Sequence, residues 1–262
     1  MKTKYPIVLV HGLAMKDVLF IKSFGKIDRI LRIQGHTVYK SNVDGFGTVE
    51  SNAEQLKSEI ENILRETKAE KVNIIAHSKG GLDAKYMIRH CGMADRVASL
   101  TTLCTPHRGS PIASFILRFP QFAVKYAAFW VNTAYRILGD RKPDSFTACH
   151  ELARTESLET ETVNVAEGVM CQSFSAAMCP GEKNADFIMQ IPLIFSRWIE
   201  KGRASDGLVP RDSAMFGTYR GDCIPGPVSH TEIVDFMVRD KKRDKIYAFY
   251  STLCEELVQA GF

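Results

Sequence analysis

The chain has 262 residues, of which 45% are hydrophobic and 24% charged, and its formal net charge at pH 7 is +4. This length is enough to bury a sizeable core as one domain, and the composition is that of an ordinary globular protein. The sequence has no dense basic run, which argues against nucleic acid as a partner, and no apolar stretch long enough to span a bilayer.

Short apolar runs alternate with amphipathic segments, which predicts an α/β domain over residues 1–262 with a mostly parallel central sheet flanked by helices. In chain order the expected elements are strand Ile7–Val10, helix Val18–Gln34, strand Thr37–Lys40, helix Ser51–Thr67, strand Val72–Ala76, helix Gly80–His90, strand Ala98–Leu103, weaker strands near Val169–Phe174 and Gly221–Ile224, and helix Lys242–Gln259.

Residues 107–161 interrupt this alternation, because they contain no clear strand and carry aromatic residues at helical spacing. This pattern predicts an insertion of two or more helices. Such an aromatic stripe is more often part of a core, but its place after the fourth strand favours a lid over the ligand-binding edge of the sheet. The residues expected to cover a substrate are Phe115, Phe119, Phe122, Phe129 and Trp130.

The segment Val72–Gly81 places Ser78 between a strand and a helix, in the order Ala-His-Ser-Lys-Gly-Gly. A sharp turn at such a junction exposes the serine hydroxyl, and it requires small residues two positions before and after the serine. Ala76 and Gly80 meet this requirement, although alanine stands where the usual motif has glycine. The pattern predicts a nucleophile elbow, and the alternative is an ordinary strand–turn–helix junction with an incidental serine.

A nucleophilic serine needs a base to remove its proton and an acid to orient that base. In an elbow architecture the acid and the histidine follow the serine in that order. His230 stands in a turn-rich loop before the last helix and is the predicted base. Asp206, in an Asp-Gly turn between the two, is the predicted acid, with Asp212 and Asp222 as competitors.

Acyl transfer also requires two preorganised donors for the negatively charged oxygen of the tetrahedral intermediate. The backbone N–H of Lys79, directly after the serine, supplies one of them. The second is expected from the backbone N–H of Leu13, in the turn that follows the first strand. The ammonium group of Lys79 is not expected to take part.

Four segments, in this order, resemble motifs of bacterial triacylglycerol lipases of the α/β-hydrolase fold, the Pseudomonas–Burkholderia–Proteus type. They read Tyr-Pro-Ile-Val-Leu-Val-His-Gly-Leu, Ala-His-Ser-Lys-Gly-Gly-Leu-Asp-Ala-Lys-Tyr, Leu-Thr-Thr-Leu-Cys-Thr-Pro-His-Arg-Gly-Ser and Ser-Asp-Gly-Leu-Val-Pro. The resemblance implies the same triad of Ser78, Asp206 and His230 and the same oxyanion donors. It also implies that the insertion is a lid that moves at a lipid interface.

Many lipases of this type hold a structural calcium near the catalytic histidine, with ligands two and six residues after it. Those positions are Glu232 and Phe236 here, and a phenylalanine cannot coordinate a cation. Oxygens of Glu232, Asp235 and Asp186 remain as candidate ligands. Structural calcium is therefore left open, and no cofactor is expected to be required for the reaction.

The sequence thus predicts a carboxylic-ester hydrolase, most specifically a triacylglycerol lipase that works through an acyl-enzyme. A short-chain carboxylesterase or thioesterase on the same fold is the alternative. The expected partner is a lipid or small-molecule ester, with transient contact at a lipid interface. A basic N-terminus without the apolar core of a signal peptide leaves two locations open, the cytoplasm or the cell exterior after removal of a leader. The oligomeric state is not predicted.

Overall fold

The sheet is parallel, as the alternation of apolar runs predicts. A computed structural model describes residues 2–17, 22–153, 165–179, 187–199, 201–238 and 240–262. Every described strand pair is parallel, and the strand order is β2-β1-β3-β4-β5-β6. The strands are β1 (Ile7–Val10), β2 (Val38–Lys40), β3 (Val72–His77), β4 (Val97–Leu103), β5 (Met170–Ser175) and β6 (Thr218–Asp222).

Helices cover both faces of this sheet. They are α1 (Ile27–Ile33), α2 (Val49–Thr67), α3 (Lys79–His90), α4 (Pro111–Ile116), α5 (Gln121–Ile137), α6 (Ser145–Leu152), α7 (Phe187–Ile199) and α8 (Asp240–Gln259). No helix in the described part of the chain is long and apolar enough to cross a membrane.

Burial on both faces explains why β1 reads as a continuous apolar run. Val8 and Val10 point into one core cluster with Leu56 of α2, whereas Ile7 and Leu9 point into a second cluster on the opposite face of the sheet. Successive side chains of a strand alternate between faces, so a central parallel strand must be apolar at every position.

Two predicted elements differ from the observed bounds by more than two residues at one end. The helix predicted at Val18–Gln34 begins only at Ile27, because a turn precedes it in which Gly25 adopts a φ of +48°; residues 18–21 lie outside the described part. The last strand is Thr218–Asp222 instead of Gly221–Ile224, since the apolar residues Cys223 and Ile224 are buried in the core beyond the strand end.

The inserted segment is helical, as predicted, over the part that the structure describes. It contains α4, α5 and α6 and reaches residue 153, while residues 154–161 lie outside the described ranges. Its helix α4 packs against α6 and also against α7, a helix that the sequence pattern does not predict. All seven cysteines are free thiols.

Candidate active site

Ser78 occupies a strained turn between β3 and α3. Its φ is +54° and its ψ is −131°, a backbone conformation that a residue with a side chain rarely adopts. A Cβ atom on Gly80 would lie 2.4 Å from the carbonyl oxygen of His11, and one on Gly12 would lie 2.6 Å from the Cβ of Ser78. Glycine at both positions therefore lets the end of β1 approach the serine, as a nucleophile elbow requires.

The structure brings the three residues of the predicted triad into one hydrogen-bonded chain. The Nε2 atom of His230 lies 2.9 Å from the Oγ of Ser78, and its Nδ1 atom lies 2.7 Å from the Oδ2 of Asp206. Asp206 and His230 are buried, while Ser78 retains partial exposure. This is the geometry in which a neutral imidazole can accept the serine proton while the carboxylate fixes its tautomer.

The loop of Asp206 holds its carboxylate toward His230. The other carboxylate oxygen, Oδ1, accepts hydrogen bonds from the backbone N–H groups of Leu208 at 3.0 Å and Val209 at 2.8 Å. The two competing aspartates are engaged elsewhere, Asp212 with Arg203 and Asp222 with Arg211. Of the three aspartates considered from the sequence, Asp206 is thus the one that the structure pairs with His230.

A second histidine, His77, which was not predicted as a site residue, contacts the backbone of His230. The Nε2 atom of His77 lies 2.9 Å from the backbone oxygen of His230, and the two ring centroids are 4.6 Å apart. Burial, reinforced by the neighbouring His230, lowers the pKa of His77 well below its usual value. His77 is thus neutral and donates to the loop that carries His230.

Of the two residues predicted to supply oxyanion donors, Lys79 directly follows the serine in the chain. Lys79 is the first residue of α3, so its N–H belongs to the helix-terminal group that has no acceptor within the helix. Leu13 lines the same cavity as Ser78. The turn that carries it is held by Ala14, whose N–H donates to the oxygen of Gly45 at 2.9 Å and whose oxygen accepts from the hydroxyl of Tyr135 at 3.0 Å.

The ammonium group of Lys79 lies in a buried polar cluster with Asp83 and Asn52. It lies 2.6 Å from the Oδ1 of Asp83, and both side chains are only 1% exposed. The Oδ2 of Asp83 accepts a further hydrogen bond from the side-chain amide of Asn52 at 3.0 Å. Burial raises the pKa of Asp83, and the ammonium opposes that rise. The charge of Lys79 therefore serves the packing of α3 against α2.

Ser78 and His230 open into an apolar cavity of about 450 Å³. Its wall consists mainly of aliphatic and aromatic side chains from the insertion and from the loop after β1. Residues of this wall include Leu13, Met15, Phe46, Ile112, Ile116, Val124, Ala127, Ala128, Val131, Phe146, Leu152, Met189, Leu208 and Val209. A hydrocarbon chain matches such a lining, because its burial requires no polar partner.

The aromatic residues predicted to cover the substrate do not belong to the described lining of this cavity. On α5 the residues that face it are Val124, Ala127, Ala128 and Val131, and the opposite face carries Phe122, Phe129 and Trp130. Phe122 is 78% exposed and Trp130 is 56% exposed. Both faces of this helix are apolar, so its period of 3.6 residues does not reveal which of them points inward.

The remaining two predicted aromatic residues lie on or just after α4. Phe119 is 53% exposed. The ring of Phe115 is half-buried, packed 5.6 Å from that of Phe119 and 5.8 Å from that of Phe195 on α7. These contacts join the insertion to α7, outside the cavity.

Comparison with known proteins places the chain in a family. The sequence model of the palmitoyl protein thioesterase family matches residues 6–141, which is more than half of the chain. The chain belongs to this family. The matched region includes β1, the elbow with Ser78 and most of the insertion.

The chain is also similar in sequence to triacylglycerol lipases, as its motifs predict. Triacylglycerol lipase 2 of Saccharomyces cerevisiae is 28% identical over 90% of this chain and 68% of its own length. A triacylglycerol lipase of Burkholderia plantarii is 40% identical over 44% of this chain and 33% of its own length. The match thus spans about a third of that bacterial relative. The predicted resemblance to bacterial triacylglycerol lipases is confirmed.

Solved structures confirm the predicted α/β-hydrolase fold. The lipase of Staphylococcus hyicus superposes with a TM-score of 0.70 and 14% identity, over 98% of this chain and 96% of its own. A metagenomic carboxyl esterase superposes with a TM-score of 0.66 and 20% identity, over 88% of this chain and 66% of its own. At these identities the likeness concerns the fold alone.

Two of the three candidate calcium ligands, Glu232 and Asp235, are engaged by protein donors. Both oxygens of Glu232 lie 2.9 Å from the ammonium of Lys242. The carboxylate of Asp235 accepts from the guanidinium of Arg243 and from the hydroxyl of Tyr247. The third candidate, Asp186, lies outside the described residues.

One further group in the described part has the spacing of metal ligands. Atoms of Cys104, Asp206 and His230 lie within 4.8 Å of one another. The pKa of the Cys104 thiol is raised well above its usual value, mainly by the neighbouring Cys223 and by burial, which keeps the thiol protonated. Two members of this group, Asp206 and His230, are already hydrogen-bonded to each other at 2.7 Å, so their proximity is explained without a metal.

Proposed function

We propose that the protein is a carboxylic-ester hydrolase of the triacylglycerol lipase type. One observation carries the proposal: the hydrogen-bonded chain from Ser78 through His230 to Asp206 opens into an apolar cavity of about 450 Å³. A nucleophile with its base is what acyl transfer requires, and an apolar cavity suits an acyl chain.

In the proposed reaction, His230 removes the proton of Ser78 as the hydroxyl oxygen attacks the ester carbonyl. The backbone N–H groups of Leu13 and Lys79 stabilise the resulting oxyanion. Protonated His230 then donates its proton to the leaving alcohol, and an acyl-enzyme remains on Ser78. Water, deprotonated by His230, releases the fatty acid and restores the serine.

A thioesterase reaction at the same site is the second candidate, and membership of the palmitoyl protein thioesterase family favours it. The acyl-enzyme would be identical, and only the leaving group would change from an alcohol to a thiol. Hydrolysis of a palmitoyl ester and a palmitoyl thioester, each followed in solution at matched concentrations, separates the two. The lipase proposal expects the higher kcat/KM on the palmitoyl ester, whereas a clearly higher value on the palmitoyl thioester would favour the thioesterase reaction instead.

The proposed lipid contact is supported by an exposed apolar surface around the insertion. We define it as the aromatic face of α5 (Phe122, Phe129, Trp130) together with Ile194 and Trp198 of α7, all of which are more than half exposed. Five exposed large apolar side chains on two helices that line the same cavity are unusual for a part of a protein that meets only water. Exposed aromatic side chains of a surface helix can insert at the boundary between lipid headgroups and acyl chains.

Replacing Phe122 and Trp130 together with serine is expected to lower the rate on an emulsified long-chain triacylglycerol about tenfold or more. The two rings would no longer bury apolar area in the lipid surface, and burial of one such ring is worth about 1.5–3 kcal/mol. The rate on a dissolved butyrate ester should remain within about twofold, because the two side chains face away from the cavity.

The matched control is Ile33→Ser on α1, a side chain that is 75% exposed and lies outside the lipid-binding surface just defined. It should leave both rates unchanged. If the double variant retained its full rate on the emulsion, or if both substrates lost rate equally, the proposed lipid contact would be wrong.

A further inference from the structure

The loop that carries His230 is fixed by hydrogen bonds on both sides of the histidine. The N–H of Ser229 donates to the carboxylate of Glu232 at 2.9 Å, and the N–H of Glu232 donates to the Oγ of Ser229 at 3.1 Å. This reciprocal arrangement, as in a helix capping box, encloses His230 and Thr231. The position of the Glu232 side chain therefore determines how the loop presents its imidazole.

Glu232 is a buried carboxylate, only 1% exposed, and among the described residues it forms an ion pair with Lys242. The Nζ atom of Lys242 lies 2.9 Å from each of its two oxygens. A buried charge needs such a partner, because water no longer solvates it. Lys242 stands in the first turn of α8, so the ion pair ties the histidine loop to that helix.

The helix that supplies the lysine is itself well anchored. Tyr250 and Leu253 of α8 are buried in the core cluster that contains Ile7 and Leu9 of β1. The hydroxyl of Tyr250 donates to the backbone oxygen of Ile233, at a distance of 3.0 Å, in the short turn that follows Glu232. Lys242 therefore contacts the loop from a helix whose position is fixed by the core.

Asp235 forms a second tie between the same loop and α8. Its Oδ1 accepts from the Nε of Arg243 at 2.9 Å, and its Oδ2 accepts from the backbone N–H of Lys26 at 2.9 Å and from the hydroxyl of Tyr247 at 2.8 Å. The side chain is 3% exposed. The two candidate calcium ligands that the structure describes, Glu232 and Asp235, are thus both engaged by donors, which include the ammonium of Lys242 and the guanidinium of Arg243.

Glu232 and Asp235 do not fit a calcium site. Calcium takes six to eight oxygen ligands, whereas their oxygens face an ammonium and a guanidinium, which would repel a divalent cation. We propose that Lys242 and Arg243 take the place of a metal ion in this loop, and that Lys242, acting through Glu232, is a positioning residue for His230. The second part rests on the proposed role of His230 as the base.

The test compares Lys242→Met, which keeps the aliphatic stem and removes the charge, with Lys242→Arg. The methionine variant is expected to lower kcat about 10- to 100-fold with KM within about twofold, since a displaced base slows the chemistry and leaves the cavity intact. The arginine variant should retain most of kcat. The control is Lys245→Met, an exposed lysine of the same helix, which should behave like the wild type.

Metal dependence is measured on the wild-type protein in parallel. Activity and Tm should be the same after treatment with EDTA and after addition of calcium chloride, because the cations of Lys242 and Arg243 already occupy the position that the metal would take in this loop. Loss of activity in EDTA that calcium restores would overturn the proposal. A wild-type kcat in Lys242→Met would overturn the positioning role.

Two further measurements keep the outcome clear. If Lys242→Met does not fold, the pair Glu232→Gln with Lys242→Met removes both buried charges and keeps an acceptor for Ser229; a wild-type kcat there would equally contradict the positioning role. Labelling by a fluorophosphonate separates this proposal from the proposed function. Slow labelling of Ser78 in Lys242→Met supports positioning, whereas absence of labelling at Ser78 in the wild type would refute the proposed function itself.

Discussion

Replacement of Asp206 with asparagine is expected to lower kcat about 10⁴-fold while the protein stays folded. The reason lies in the two backbone donors, Leu208 and Val209, that already bind the Oδ1 of Asp206. These donors would hold the amide oxygen of asparagine and turn its NH₂ group toward the Nδ1 atom of His230. The imidazole would then carry its proton on Nε2, where it cannot accept the proton of Ser78.

The measurement is kcat on a dissolved short-chain ester, with circular dichroism and Tm to establish folding. Asp212→Asn is the matched control, because this aspartate competes for the role in sequence and pairs with Arg203 on the surface. It should keep kcat within about threefold of the wild type. Comparable losses in the two variants, or none in Asp206→Asn, would contradict the assignment of the acid.

Replacement of Lys79 with methionine is expected to reduce the free energy of unfolding by about 3–5 kcal/mol. The substitution leaves Asp83 buried without its ammonium partner, and an unpaired buried charge is costly. The partner substitution Asp83→Asn, added to Lys79→Met, removes the charge and keeps an acceptor for Asn52. The double variant should therefore recover most of the lost stability.

The loss in Lys79→Met should grow with pH. Burial already raises the pKa of Asp83, and without the ammonium the folded-state pKa rises further above the unfolded value of about 3.9. Above that pH the unfolded chain releases a proton that the folded state retains. The free energy of unfolding then falls by about 1.4 kcal/mol per pH unit until the folded-state pKa is passed.

Urea unfolding of the wild type and both variants between about pH 5 and 8 measures this dependence. A single variant as stable as the wild type, or a double variant no more stable than the single one, would show that the pair does not support the elbow helix as described.

Local pattern and chain order were sufficient to select Ser78, Asp206 and His230, which the structure joins by hydrogen bonds. The steric demand for small residues around Ser78 is local, and the order serine, aspartate, histidine follows from how the loops of such a sheet succeed one another. The β1 strand was equally predictable, since burial on both faces leaves an unbroken apolar run in the sequence.

Features that depend on tertiary packing were not predictable. Both faces of α5 are apolar, so the sequence does not show which of them faces the cavity. The structure shows that Val124 and Val131 line the cavity and that Phe122 is exposed. His77 supports the base through a bond to its backbone oxygen, across 153 residues of sequence. The pairing of Glu232 with Lys242 likewise has no local pattern, because it depends on where α8 begins.

Labelling with a fluorophosphonate probe, compared between the wild type and Ser78→Ala, tests the central claim most directly. The proposed mechanism predicts that the wild type forms a covalent adduct at Ser78, identified by mass spectrometry of the labelled peptide, and that Ser78→Ala forms none. Equal labelling of the two proteins, or an adduct on another residue, would contradict it.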